Sequence, residues 1–123
     1  MKNLFKNIFK FSRYDDFKMR PDSRNLWKQL NPKQSKKVNN FLSILDEAFL
    51  VPRKHQFKIQ PKDKLGDIYK RSANFVDSFE IEIMVDSIFK HFKYKLSEDE
   101  LSFDLSFEEI FLKVTKNQSK IDL

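Results

Sequence analysis

Asp77, Ser78, Phe79 and Glu80 stand directly ahead of a run in which Met84, Ile88 and Phe92 recur at helical spacing. A serine hydroxyl in the first turn of a helix lies near the positive partial charge of N–H groups that have no intrahelical partner. A phosphodiester is electrostatically favoured at such a place. The same four residues also read as a plain helix start, because Asp77 is a good N-cap residue and Glu80 follows three positions later. Ser78 is no self-sufficient nucleophile: His91, the histidine nearest to it in sequence, lies about three to four helical turns along. His55 and His91 are far apart, neither has ligand spacing to a carboxylate cluster, and the chain has no Cys. No metal site, cysteine nucleophile or disulfide is expected, no catalytic residue is assigned, and the chain is read as a non-enzyme.

Other elements must position that serine. The 123 residues, with fourteen Phe and an apolar fraction of 40%, suffice for one core and hardly for a second. Residues 15–32 hold Pro21, Pro32, mixed charges and the only Trp, and read as an irregular connection with a short helical piece around Leu26, Trp27 and Leu30. Asn31, Pro32, Lys33 and Gln34 have the form of a helix start. Val38, Phe41, Leu42, Leu45 and Phe49 continue it as an apolar stripe that Pro52 ends. From Val51 to Asn74 the period is lost, with Pro52, Pro61 and the only Gly, Gly66, so a long connecting loop is expected. Phe57, Ile59, Leu65, Ile68 and Tyr69 are the apolar anchors that would tie it across the core.

A second main helix starts near Asp77 and turns Ile81, Met84, Val85, Ile88 and Phe92 inward. Ser97 with Glu100 and Ser106 with Glu109 are capping-box pairs. They predict a short helix over 98–103 and a last helix from Phe107 to Thr115, with polar residues 116–123 fraying beyond it. The domain reading is a basic extension and linker over 1–30, a helical domain over 31–115 and a polar tail over 116–123.

The order of helix, long loop, helix, short helix and helix, over about 85 residues, resembles the acyl carrier protein family. That family comprises all-α four-helix bundles whose serine bears a phosphopantetheine arm. Asp77, Ser78, Phe79 and Glu80 stand in the places of the family's Asp-Ser-Leu motif and following acid. Met84, Ile88 and Phe92 match its core positions without a gap. Leu96, Ser97, Glu98, Asp99 and Glu100 resemble the acidic turn after that helix, and Ser106, Phe107, Glu108 and Glu109 the start of its final one. The resemblance implies 4'-phosphopantetheine on Ser78 and Asp77 as the acidic neighbour that helps hold the metal ion accompanying coenzyme A. It also implies a partner-reading face formed by Phe79, Glu80, Glu82 and Asp86. The implied partners are a phosphopantetheinyl transferase and acyl-transfer enzymes. Two residues before Asp77, where the family has Gly, this chain has Phe75, and the chain is basic where the family is acidic. A carrier-like fold without an arm, working as an interaction or regulatory module, is the alternative.

Charge divides the chain unevenly: residues 1–71 hold 18 Lys or Arg against 7 Asp or Glu, and residues 72–123 hold 6 against 11. Such a division bears on partners rather than on fold. Residues 1–14 place Met1, Leu4, Phe5, Ile8 and Phe9 at helical spacing among Lys2, Lys6, Lys10 and Arg13. This cationic amphipathic segment suits an anionic membrane surface or a partner's groove, and equally a helix docked on its own domain. Lys36, Lys37, Arg53, Lys54, Lys58, Lys62 and Lys64 raise a nucleic-acid reading, but no recognition motif accompanies them and the acidic rear opposes it. Lys6 and Lys10 interrupt the first apolar residues, no small-residue cleavage site follows, and no apolar run has bilayer length. The expectation is a cytoplasmic protein with peripheral membrane contact.

Overall fold

The computed structural model of the chain describes residues 14–72 and 79–121. Within them a 3₁₀ turn at Asp15–Met19 leads into helix α1 (Arg24–Leu30) and helix α2 (Ser35–Ala48), then a 3₁₀ turn at Arg53–His55. Helices α3 (Leu65–Ser72) and α4 (Glu80–Phe92) follow, then a 3₁₀ turn at Glu98–Glu100 and helix α5 (Phe107–Ile121). The architecture is all-α, and the described residues form no strand beyond a single antiparallel bridge between Lys64 and Ser106.

The apolar stripes meet as the spacing requires. Val38, Phe41, Leu42 and Leu45 of α2 are fully buried, as are Met84 and Ile88 of α4 and Phe107, Ile110, Phe111 and Val114 of α5. Aromatic rings hold the centre: Phe41 meets Trp27 at 5.7 Å and Phe111 at 5.1 Å, and Trp27 meets Phe111 at 5.7 Å, all edge to face. Such pairs add to the gain from area burial alone, and each fully buried large side chain contributes about 1.5–3 kcal/mol.

Residues 15–32, expected as an irregular connection, are built into this core. Phe17 and Trp27 are fully buried, and the Trp27 indole N–H donates to the Ile59 carbonyl at 2.9 Å. The Tyr14 hydroxyl donates to the Phe49 carbonyl at 2.5 Å. Arg20 forms a fork on Asp63 at 2.6 and 3.2 Å, Arg71 pairs with Asp16, and the Arg20 and Arg71 guanidiniums lie 4.3 and 4.9 Å from the Phe17 ring centre. A segment rich in charge thus docks through its aromatic residues, with Arg20 held by Asp63 and the Phe17 ring and Asp16 held by Arg71.

Helix boundaries differ from the sequence reading where capping residues serve another element. Asn31 does not start α2. Its backbone and side-chain N–H groups both donate to the Trp27 carbonyl at 3.0 Å and close α1, so α2 begins at Ser35. Nor does Pro52 end α2. Leu50 adopts a left-handed conformation (φ 56°), Val51 N–H donates to the Asp46 carbonyl at 2.9 Å and Leu50 N–H to the Glu47 carbonyl at 3.3 Å, a Schellman turn that stops the helix at Ala48.

The expected loop from Val51 to Asn74 contains α3. Its anchors behave as expected, with Ile59, Leu65 and Ile68 buried and Phe57 and Tyr69 packed on the core at its edge. The helix among them is a correction. Leu65 and Gly66 donate their backbone N–H groups to the carbonyls of Leu105 and Phe103 at 2.8 and 2.9 Å. Phe107 and Glu108, opening α5, donate theirs to the carbonyls of Asp63 and Pro61 at 3.0 Å each. Two helix starts cap one another across the Lys64–Ser106 bridge, satisfying orphan donors that neither could satisfy locally. Gly66 is required there, because a Cβ would stand 2.8 Å from the Phe103 Cβ and 3.0 Å from its carbonyl oxygen.

Both capping boxes form. Glu100 accepts from the Ser97 N–H at 3.1 Å, while Ser106 Oγ accepts from the Glu109 N–H at 3.2 Å and the Glu109 carboxylate from the Ser106 N–H at 3.4 Å. The first opens only the 3₁₀ turn Glu98–Glu100 instead of a helix to residue 103, and α5 continues to Ile121 instead of ending at Thr115.

Candidate functional site

α4 is helical because Met84, Ile88 and Phe92 give it a buried stripe and because Lys93, left-handed at φ 60°, closes it by donating to the Phe89 carbonyl at 2.9 Å. Its first turn holds Glu80 and Glu82, acids placed where the helix dipole favours them. The helix opens at Glu80 with Phe79 at its N-cap, not near Asp77 as the spacing predicts, so Ser78 stands one residue ahead of the cap in sequence and not in the first turn. The Phe79 carbonyl accepts from the Ile83 N–H at 2.8 Å, and the residue is 53% exposed.

Asp77 and Ser78 lie outside the described residues, as do Lys2, Leu4, Phe5, Lys6, Ile8, Phe9 and Lys10 of the basic segment. Of the remaining candidates, Glu82 and Asp86 are exposed one turn apart on α4, and Asp86 pairs with Lys90 at 3.1 Å. Glu80 departs from them: it is 6% exposed, and its Oε2 has no hydrogen-bond partner among the described residues. A carboxylate so placed contributes nothing to an outward-facing acidic surface. Ile83 and Phe89 take outward positions instead, each 47% exposed.

A cleft of about 600 Å³ runs along α4, walled by Ile81, Val85 and Phe89 of that helix, Tyr69 of α3, and Leu96 and Leu101 beyond it. Glu82, Asp86, Lys95 and Glu98 stand among these apolar walls. The turn that frames the cleft is stiffened by Tyr94, whose hydroxyl donates to Glu100. That bond lowers the carboxyl's pKa from its ordinary value and raises that of the phenol. Such a cleft suits an apolar chain with a polar end.

Among the described residues, no group of three or more His, Cys, Asp or Glu is placed to hold a metal ion, and no helix is long and apolar enough to cross a membrane. Lys58, one of the cations weighed for nucleic acid, donates to the Phe17 carbonyl at 3.1 Å.

Asp46 is a residue of evident chemical interest that is absent from the candidates drawn from the sequence. It is 3% exposed, and burial pushes its carboxyl up to about 7 against the lowering effect of the Phe57 N–H, which donates to Oδ2 at 2.9 Å. The available signal was its register: Asp46 stands one turn after Leu42, an acid on the buried face of α2.

Comparison with protein-family models, with curated proteins and with solved structures finds no match.

Proposed function

We propose that the chain is an acyl-carrier-like helical bundle that bears 4'-phosphopantetheine on Ser78 and presents it to partner enzymes, itself a substrate rather than a catalyst. The observation that carries this reading is the buried stripe of α4 with a cleft beside it. The helix opens at Glu80, two residues past Ser78, and buries Met84, Ile88 and Phe92 behind it, with an apolar-walled cleft alongside. In the loading step the Ser78 hydroxyl oxygen bonds to the phosphorus that carries pantetheine in coenzyme A. The adenosine bisphosphate portion leaves, and the serine proton passes to a base of the transferase. Asp77 would help hold the metal ion that the transferase brings with coenzyme A.

Partners would read α4 through Phe79, Ile83, Phe89, Glu82 and Asp86, the residues it exposes. The cationic segment of residues 1–14 would bring the carrier to anionic membrane. Purified protein incubated with coenzyme A and a broad-specificity phosphopantetheinyl transferase tests the proposal. Intact mass is expected to rise by one phosphopantetheine group in the wild type and not in Ser78→Ala. An unchanged wild-type mass, beside a control carrier that loads fully, would overturn it.

A second reading keeps the fold and drops the arm. The exposed Phe79, Ile83 and Phe89 favour it, since an apolar outward set on α4 serves protein contact whether or not Ser78 is modified.

A further inference from the structure

Asp46 lies outside the α4 site. Its two carboxyl oxygens are unequally served: Oδ2 accepts the Phe57 N–H at 2.9 Å, whereas Oδ1 is buried without a hydrogen-bond partner among the described residues. The residue forms part of the wall of a groove of about 570 Å³, beside Ser43, Glu47, Leu50, Val51 and Gln56. Leu50 and Phe57, at the two ends of the segment over this groove, both hold left-handed backbone, at φ 56° and 62°. Neither is Gly, so each conformation costs free energy that surrounding contacts must offset.

Those contacts are specific. The Phe57 carbonyl accepts the Ser23 N–H at 2.7 Å, the Ser23 hydroxyl donates to the Ile59 carbonyl at 2.7 Å, and the Trp27 indole donates to the same Ile59 carbonyl at 2.9 Å. Asp46 therefore holds one side of the segment and the start of α1 the other. A neutral carboxyl tolerates a sealed, unpartnered oxygen far better than a carboxylate does, because a buried charge without compensation is expensive. Ionisation favours any rearrangement that brings Oδ1 to water, and Asp46 itself helps to wall the adjoining groove.

We infer that Asp46 is a proton-operated latch: neutral, it seats residues 50–57 on α1 and α2, and ionised, it lets the segment lift and the groove open. The inference stands independently of the carrier reading. The charged groups around the latch act in known directions. Asp22 at the start of α1 raises the proton affinity of Asp46. Asp22 is itself paired with Arg24 at 2.6 Å, and that guanidinium lies 4.4 Å from the Phe57 ring centre. Glu47 adjoins on the same helix, and Arg53, Lys54 and His55 lie on the segment. The His55 pKa is lowered from its ordinary value by burial first and then by Lys58 and Lys54, so His55 is the competing titrator.

The sign follows from linkage: the folded, latched state binds the proton more tightly than an open or unfolded chain. The latch is therefore fully engaged below the ordinary aspartate range and lost as pH rises through about 7. Trp27, the only Trp of the chain, reports on it through its bond to Ile59. Emission of the full chain, titrated from about pH 5 to about pH 9, is expected to show one transition centred near 7. Asp46→Asn, which keeps an acceptor for the Phe57 N–H, is expected to abolish the transition, and His55→Gln to preserve it. Carboxyl-carbon NMR of the wild type supplies a reading that needs no variant to fold, and the Asp46 signal is expected to titrate near 7. A transition that survives Asp46→Asn, one lost in His55→Gln, a flat emission trace, or an Asp46 carboxyl titrating near the ordinary value would each overturn the latch.

Discussion

Leu50 occupies the left-handed position of the turn that ends α2, where glycine is the usual occupant, and its side chain is 56% exposed. A leucine there carries a steric cost of about 1–2 kcal/mol and recovers little by packing. Leu50→Gly is therefore expected to raise stability by about 1 kcal/mol, after the greater unfolded-state entropy of glycine is deducted. A thermal midpoint raised by about 3–5 °C is the corresponding reading. An unchanged or lowered midpoint would mean that this turn carries no such strain. The same scale shows what a sequence hides. Phe17 and Trp27 stand among prolines and charges, and their burial depends on Asp63, Asp16 and the Ile59 carbonyl, residues distant along the chain that satisfy the polar groups around them. Asp46 was legible as an acid on a buried helical face, but its sealed oxygen is a tertiary property.

At the scale of elements, the stripe of α4 was the most legible, because Met84, Ile88 and Phe92 are a local code, although the helix starts at Glu80 and not near Asp77. The capping boxes at Ser97 and Ser106, also local codes, marked the 3₁₀ turn after it and the start of α5. α3 was not legible. Its flanking Pro61 and its Gly66 are signals of a break, and the groups that satisfy its first N–H donors lie about forty residues away, at Phe103 and Leu105. The mutual capping of α3 and α5 makes those two helix starts one structural unit. Gly66→Ala places a methyl group against the Phe103 Cβ and carbonyl and so forces the two starts apart. A loss of about 1–3 kcal/mol is expected from that overpacking, read as a lower urea midpoint at unchanged m-value. A neutral or stabilising Gly66→Ala would show that the Phe103 loop yields without cost.

The whole molecule joins a basic front to an acidic rear, and the two halves meet different demands. Several front cations are engaged within the fold, Arg20 by Asp63, Arg71 by Asp16 and Lys58 by the Phe17 carbonyl, so the count of Lys and Arg there overstates how many are available to a partner. The four cations of residues 1–14, set among Leu4, Phe5, Ile8 and Phe9, are the segment proposed to meet anionic lipid. Co-sedimentation with vesicles containing anionic phospholipid is expected for the full chain and lost on deleting residues 1–13. Equal pelleting of the shortened chain would refute the proposal. The acidic rear carries the exposed Glu82 and Asp86 of α4, on the helix that follows Ser78.

The carrier reading comes down to one covalent bond, and fragmentation mass spectrometry of the transferase-treated protein examines that bond most directly. The account predicts that the peptide containing Ser78 releases a phosphopantetheine fragment and that no other peptide does. A Ser78 peptide that stays unmodified while a control carrier in the same reaction is fully loaded would contradict it.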